Sequence, residues 1–480
     1  AAAGDLAGAA AEREVAARVS REQALAFVRE LVALGPRMGG TPSGDRAAES
    51  VARRLAALGL SVERIDDPET PFHVEHSWSA SLPEGSLPSA WPYGFSPSLP
   101  ESVLPLALPA TLEVPPGPGH PAAGAAVIVP RRSPGAYARA VERGARAVLV
   151  DPGEEPGRFT DWAPILELPE GEGRAPIPVF AFSARDGRRL REAAGRPEPS
   201  VTLSLRSTIG KGRPRTVLAT LPGAGARGGE IILVCAHGDS DSGGPGADDN
   251  ASGVAALVEV ARALSWAAAA GLLPGSRPAV RFAVWGAEIH SSRAYAASRP
   301  GEMARHAAVI NYDQAGTGAE RDALYYEGND VPWNEPLLRT LEQVARDHAG
   351  EPGFWAVHTS VPTLGGTDAY VFLPREHKGM GIVAERIPST TIYTSAWDAP
   401  TLLDQTPGWT SAGWPERGKL FVDYSKYYHS SGDRPEVTTE AEPYNMERCA
   451  RLAALGIMRL MGSGPAGQKD RPVRDPVPPR

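Results

Sequence analysis

The second half of the chain carries the pattern that most restricts its fold. After Gly223, short apolar runs alternate with helix-length segments. EIILVCAH (230–237), AVRFAVWG (279–286) and HAAVINYD (306–313) read as strands. ASGVAALVEVARAL (251–264) and EPLLRTLEQVARDHAG (335–350) read as helices, GMGIVAERIPSTTIY (379–393) holds at least one further strand, and EPYNMERCARLAALGIMRLM (442–461) is a closing helix. Strands that are apolar throughout, and separated by helices, require a sheet covered on both sides. The expected class is therefore α/β, with a mainly parallel mixed sheet and helices on both faces. Ligands of such sheets bind beyond the carboxyl ends of the strands.

The first half adds two further parts. Residues 12–60 read as helical: REQALAFVRELVALG and SGDRAAESVARRLAALG repeat apolar residues at helical spacing and stop on glycine. GPRMGGTP (35–42) connects them, and a strand-like LSVERI follows. Residues 71–118 are rich in Pro, Ser and Gly without a period, and suggest a long connector or an irregular part of the next domain. AAVIVP, AYARAVERGA, AVLVDP and PIPVFAFS then alternate strand and helix, describing a smaller β-rich inserted domain with no evident cluster of His, Cys and carboxylates. A chain of 480 residues exceeds one ordinary core. The expected division is 12–70 (N-terminal helices of the main domain), 71–213 (insertion), 214–463 (main domain) and 464–480 (disordered tail).

A net charge of −8 gives no reason to expect nucleic acid or an anionic membrane as partner. No run of about 18 apolar residues suggests a membrane span. Two cysteines exclude a disulfide scaffold, and Cys235 within IILVCAH reads as a small buried thiol.

The strand ends hold the chemistry. The first strand ends in His237-Gly238-Asp239, the second in Glu288, the third in Asp313. GPGADDNASG (244–253) lies between the first strand and its helix, and Tyr428-His429-Ser430-Ser431-Gly432-Asp433 precedes the last helix. Any one carboxylate here could simply cap a helix or close a turn. Histidines and carboxylates converging on one rim, without cysteine, compose a catalytic divalent-metal site.

His237-Gly238-Asp239-Ser240, PGADDNASG, WGAE, INYDQAG and YYHSSGD, in that order, resemble the M28 family of zinc metallopeptidases, which includes aminopeptidases and glutamate carboxypeptidase-like enzymes. The resemblance runs from about Thr216 to Met461 and extends to GPRMGGTP; the insertion resembles a protease-associated domain. It implies a zinc exopeptidase fold, a peptide substrate and two zinc ions. Asp249 would bridge the ions, with His237 and Asp313 on one and His429 on the other, while Asp248 would serve the turn. Asp239 would orient His237, Tyr428 would donate to the developing oxyanion, and Glu288 would be the general base. Relatives with the inserted domain are often exported, so a secreted or periplasmic location is expected.

The family usually has two adjacent glutamates after the second strand, the base and then a zinc ligand. Here Ala287-Glu288-Ile289 has one, and the connector that follows is shortened to HSS. In an extended chain His290 would face the same side as Glu288 and could replace the lost ligand; otherwise it is a surface histidine. A third alignment makes Glu288 itself the ligand. Asp368 in GGTDAYVF could meet a substrate amine or anchor its turn. Against an aminopeptidase stand a non-catalytic receptor on the same fold and a one-zinc variant that cyclises aminoacyl groups.

Overall fold

A computed structural model of the chain describes residues 2–131, 133, 135–153, 159–168, 177–317, 323–329, 332–355, 357–363, 367–375, 381–392 and 427–462. Its strands are β1 (Ser61–Asp66), β2 (Thr70–Leu82), β3 (Gly85–Ser86), β4 (Trp91–Pro92), β5 (Leu99–Ala107), β6 (Ala126–Pro130), β7 (Ala147–Asp151) and β8 (Val179–Ala181). They continue as β9 (Ser200–Gly212), β10 (Arg215–Leu221), β11 (Ile231–His237), β12 (Ala279–Trp285), β13 (His306–Tyr312), β14 (Ala323–Asn329), β15 (Val357–Thr363) and β16 (Ser389–Ile392).

The main sheet has the order β1-β10-β12-β11-β13-β16-β14-β15. Its centre, β12-β11-β13-β16, is parallel, whereas β1, β10 and β12 pair antiparallel. Every residue of β11 is buried, as expected of a strand covered on both faces. Ile232, Val234 and Ala236 face one apolar core, shared with Phe27, Val51, Leu257 and Leu455 of four flanking helices. Leu233 and Cys235 face the other, with Trp285, Tyr295 and Phe372. The period-2 alternation of one strand thus feeds two cores, and Cys235 is a buried free thiol.

The helices follow their caps. Arg21–Val32 begins at Ser20, whose side chain accepts from the Gln23 N–H, and Pro42–Ala57 begins at Thr41, with proline in its first turn. Gly253–Ala269 follows the GPGADDNASG loop and connects β11 to β12. Its extended form, Ala247–Ala269, is apolar enough to cross a membrane, but it is the central core helix of the main sheet. The closing helix runs Asn445–Gly462. The expected tail falls outside the described residues.

A second sheet, β3-β2-β9-β5-β6-β7-β8-β4, is built wholly from residues between β1 and β10. The chain leaves β1 and returns to β10, and these two strands are paired neighbours, so the insertion opens and closes at one point. The Asp67 N–H donates to Pro214 O, and Thr216 Oγ1 donates to the Asp67 carboxylate at 2.6 Å, tying the two crossings together. The aperiodic stretch 71–118 is therefore largely strand. β5 carries Pro100 and Pro105, and Pro100 falls where its register against β9 shifts, between Leu99 and Ser102.

The insertion also holds a cluster that its sequence does not display. His73 is fully buried, with Nδ1 3.0 Å from Glu75 and Nε2 2.9 Å from Glu167. Burial works against the imidazolium, but the two glutamates outweigh it and raise the pKa to about 9. A Cβ on Gly243, in the loop after β11, would stand 2.7 Å from the His73 ring, so this pair is packed against the main domain.

Candidate active site

Two strand-end side chains, His237 and Asp313, meet a loop carboxylate, Asp249, at the carboxyl edge of the main sheet. His237 Nε2 lies 3.3 Å from Asp249 Oδ1 and 3.6 Å from Asp313 Oδ1. His237 Nδ1 is 3.1 Å from Asp239 Oδ1, so the second ring nitrogen is held by a carboxylate. Asp313 Oδ2 accepts from Thr367 Oγ1 at 2.7 Å, and Asp249 Oδ2 accepts from Gln314 Nε2 at 3.3 Å. Asp249 Oδ1 and Asp313 Oδ1, the oxygens that face His237, are buried and accept no hydrogen bond among the described residues. On its other side Asp249 Oδ2 is 3.5 Å from His429 Nε2.

These atoms fit a divalent cation. Buried carboxylate oxygens without donors are costly, and an imidazole nitrogen with two such oxygens is a mixed N and O donor set suited to zinc. The charge balance agrees. Burial opposes the imidazolium of His237, yet Glu288, Asp239, Asp249 and Asp313 outweigh it and hold its pKa well above the ordinary value. Burial raises Asp313, while Asp249 is lowered because His237 and His429 outweigh its burial. His237 and Asp313 offer one donor face each, while Asp249 turns one oxygen to each histidine.

The loop from Asp239 to Ser252 is held from beneath. Asp433 accepts the backbone N–H groups of Asp248 (2.7 Å) and Asp249 (2.9 Å). Burial lifts its pKa to about 7. Asp248 Oδ1 accepts from Gly316 N–H at 2.6 Å and Ser252 Oγ at 3.0 Å, so it braces the turn rather than the cluster. The Asp249–Asn250 peptide is cis. Arg37, from GPRMGGTP, is fully buried and donates to three backbone carbonyls, Gly238, Pro245 and Gly246, at 3.3, 3.1 and 2.7 Å. Burial draws its pKa down to about 10, opposed by Asp433, Asp239 and Asp249. Arg37 and Asp433 lie within the motifs GPRMGGTP and YYHSSGD, but the sequence assigned neither of them a role.

The profile of peptidase family M28 matches residues 216–454. Through this segment the chain belongs to that family. Leucine aminopeptidase 2 of Trichophyton equinum is 25% identical over 272 residues, covering 54% of this chain and 47% of that protein. The chain thus spans about half the length of the curated relatives it matches. A zinc aminopeptidase from Bacillus subtilis superposes with a TM-score of 0.60 at 19% identity, covering 92% of this chain and 95% of that one. The Peptidase M28 precursor from Shewanella amazonensis superposes with a TM-score of 0.66 at 18% identity, covering 99% and 100%. The α/β fold is the one these M28 structures share.

The departure from the M28 pattern lies in the turn after β12. The Glu288 N–H points to both oxygens of Asp239, at 3.1 and 3.2 Å, so one carboxylate holds His237 and the backbone of Glu288. Ile289 has φ +57° and ψ −42°, and the helix His290–Ser298 begins directly after it. This left-handed residue turns the chain out of the extended path in which His290 would share the side of Glu288. His290 is instead carried to the β1–β2 link, with Nε2 2.9 Å from Pro68 O, and is not brought to the cluster. The Ile289 N–H and Ser292 Oγ both donate to Asp368 Oδ1, at 2.8 and 2.5 Å. Asp368 is fully buried, which raises its pKa to about 7, and it anchors this turn. The tryptophan-rich run before His429 lies outside the described residues. Tyr428 stacks on His429, with ring centroids 3.6 Å apart.

Proposed function

We propose that this chain is a zinc-dependent aminopeptidase with Glu288 as its general base. The observation that carries the reading is the pair of donor-free oxygens, Asp249 Oδ1 and Asp313 Oδ1, facing His237 Nε2 within 3.6 Å. Membership of M28 and the similarity to aminopeptidases support it. Bound by His237, Asp249 and Asp313, zinc would supply a Lewis acid that acidifies water and polarises a carbonyl. Glu288 accepts the proton of the attacking water and delivers it to the amide nitrogen that leaves. Asp239 orients both partners of that step, His237 through Nδ1 and Glu288 through its N–H. Tyr428, stacked on His429 at the rim, donates its hydroxyl to the carbonyl oxygen as charge develops there.

The ligand count points to unequal ions. Three side chains serve the first, whereas among the described residues only Asp249 Oδ2 and His429 serve a second. We therefore assign one tight and one weaker zinc. Residues 71–213 act as an insertion of protease-associated type, in keeping with a second sheet that interrupts the first between β1 and β10.

A substrate panel tests the activity. An aminoacyl anilide should be cleaved, its N-acetylated counterpart should not, and chelation should abolish turnover that zinc restores. Equal cleavage of both would exclude an aminopeptidase. Release of ammonia from an N-terminal glutaminyl peptide, without peptide-bond cleavage, would favour the cyclising variant.

A further inference from the structure

His429 is fixed from an unexpected direction. Its backbone lies at φ +47°, a conformation that costs a non-glycine residue about 1 kcal/mol or more. Several of the contacts on its segment come from the insertion, from the stretch between β7 and β8. The Ile165 N–H donates to His429 O at 2.6 Å, and the Ser431 N–H donates to Ala163 O at 2.9 Å. The Ala163 N–H donates to Ser431 Oγ at 3.0 Å, and Pro164 and Ser430 form an antiparallel bridge. Ala163 and Ile165 are completely buried, so this strip is packed rather than splayed on the surface. Beside it the indole of Trp162 lies flush on Gly432, where an added Cβ would stand 2.5 Å from the ring. Arg434 approaches the same indole, with its guanidinium carbon 5.9 Å from the ring centroid.

We infer that Trp162–Ile165 of the inserted domain is a positioning segment for His429, so that the weaker zinc site is completed only when the insertion is docked. The inference rests on His429 being a ligand, as proposed above. Its physical basis is direct. Asp249 Oδ2 is held by Gln314 Nε2 and the Asp249 N–H by Asp433, whereas the His429 carbonyl accepts from Ile165 and its segment is tied through Ser431 to Ala163. Releasing that strip frees the left-handed residue to relax and withdraws its imidazole from the 3.5 Å approach to Asp249. The insertion would then couple anything that moves it to the metal content of the site.

The test is calorimetric titration of the metal-stripped full chain with zinc, read as two affinity classes. Trp162→Ala should leave the tight class within about twofold and weaken the other by about 10-fold or more, the usual size for a residue that orients a ligand. Trp162→Phe should restore most of it. Gly432→Ala, which drives a methyl into the indole from the other side, should weaken the same class alone. His429→Ala is the control. If it weakens the second class while Trp162→Ala and Gly432→Ala do not, the positioning inference is overturned and the ligand reading stands. If His429→Ala changes neither class, the ligand reading fails and takes this inference with it. Loss of both classes in Trp162→Ala and Gly432→Ala would mean a general structural role, which also overturns it.

Discussion

Arg37 shows how a residue distant in sequence can govern the site without touching its chemistry. A fully buried guanidinium that meets three carbonyls can only be accommodated if those carbonyls are where it needs them. It thereby sets the path of the chain through Gly238 and through Pro245-Gly246, on either side of Asp239 and ahead of Asp249. Arg37→Lys keeps the charge but cannot span three acceptors. It should cost on the order of 3 kcal/mol by urea unfolding, from lost charged hydrogen bonds and carbonyls left buried. An unchanged midpoint would show that the loop holds itself. His237 and Asp313 could be read from sequence because they sit at strand ends, where the fold class already places ligands, and Asp249 and His429 because they fall in the loop motifs that follow or face those ends. Arg37 and Asp433 fall in such motifs too, but their roles could not be read, because their partners are backbone groups of distant loops, and backbone partners leave no signature in spacing.

At the scale of elements, the turn from Gly286 to His290 decides how far the M28 pattern survives. Shortening the connector forces helix His290–Ser298 to start at once, and the left-handed Ile289 absorbs the change of direction. Its side chain packs against the apolar cluster around Trp285, Tyr295 and Phe372. Ile289→Glu therefore should not recreate the family's second glutamate. A carboxylate placed against that cluster should lower stability by about 1–3 kcal/mol, with no tightening of the weaker zinc. Tighter zinc binding in this variant would show that the turn can open toward the site. The extended path assumed for His290 fails for the same reason, since two-residue periodicity applies only while the chain remains a strand. Where strands are covered on both faces the apolar run identifies them, as for β11, β12 and β13. Where prolines sit at register shifts, as in β5, no period survives to be read.

At the scale of the whole molecule, two sheets joined at one point would be free to hinge unless other contacts tie them. Among the described residues such ties include the Trp162–Ile165 strip on the His429 loop, and His73 with Glu75 and Glu167 beside Gly243. The His73 pKa is raised in the folded chain from 6.5 to about 9. A raised histidine stabilises the fold fully below its unfolded pKa, and that contribution is lost as pH rises through the folded value. His73→Gln should thus destabilise the protein by on the order of 2–3 kcal/mol at pH 6 and much less at pH 10. Equal losses at both pH values would mean that packing, not charge, joins the domains there. This cluster was invisible in sequence because Glu167 reaches His73 only through the closure of the second sheet.

The most direct measurement is the turnover and zinc content of Glu288→Gln beside wild type. The expected result is zinc bound as in wild type, with kcat on an aminoacyl anilide reduced by roughly 10²–10⁴. Turnover close to wild type with zinc retained would contradict the general-base role, and loss of the tight zinc would make Glu288 a ligand instead.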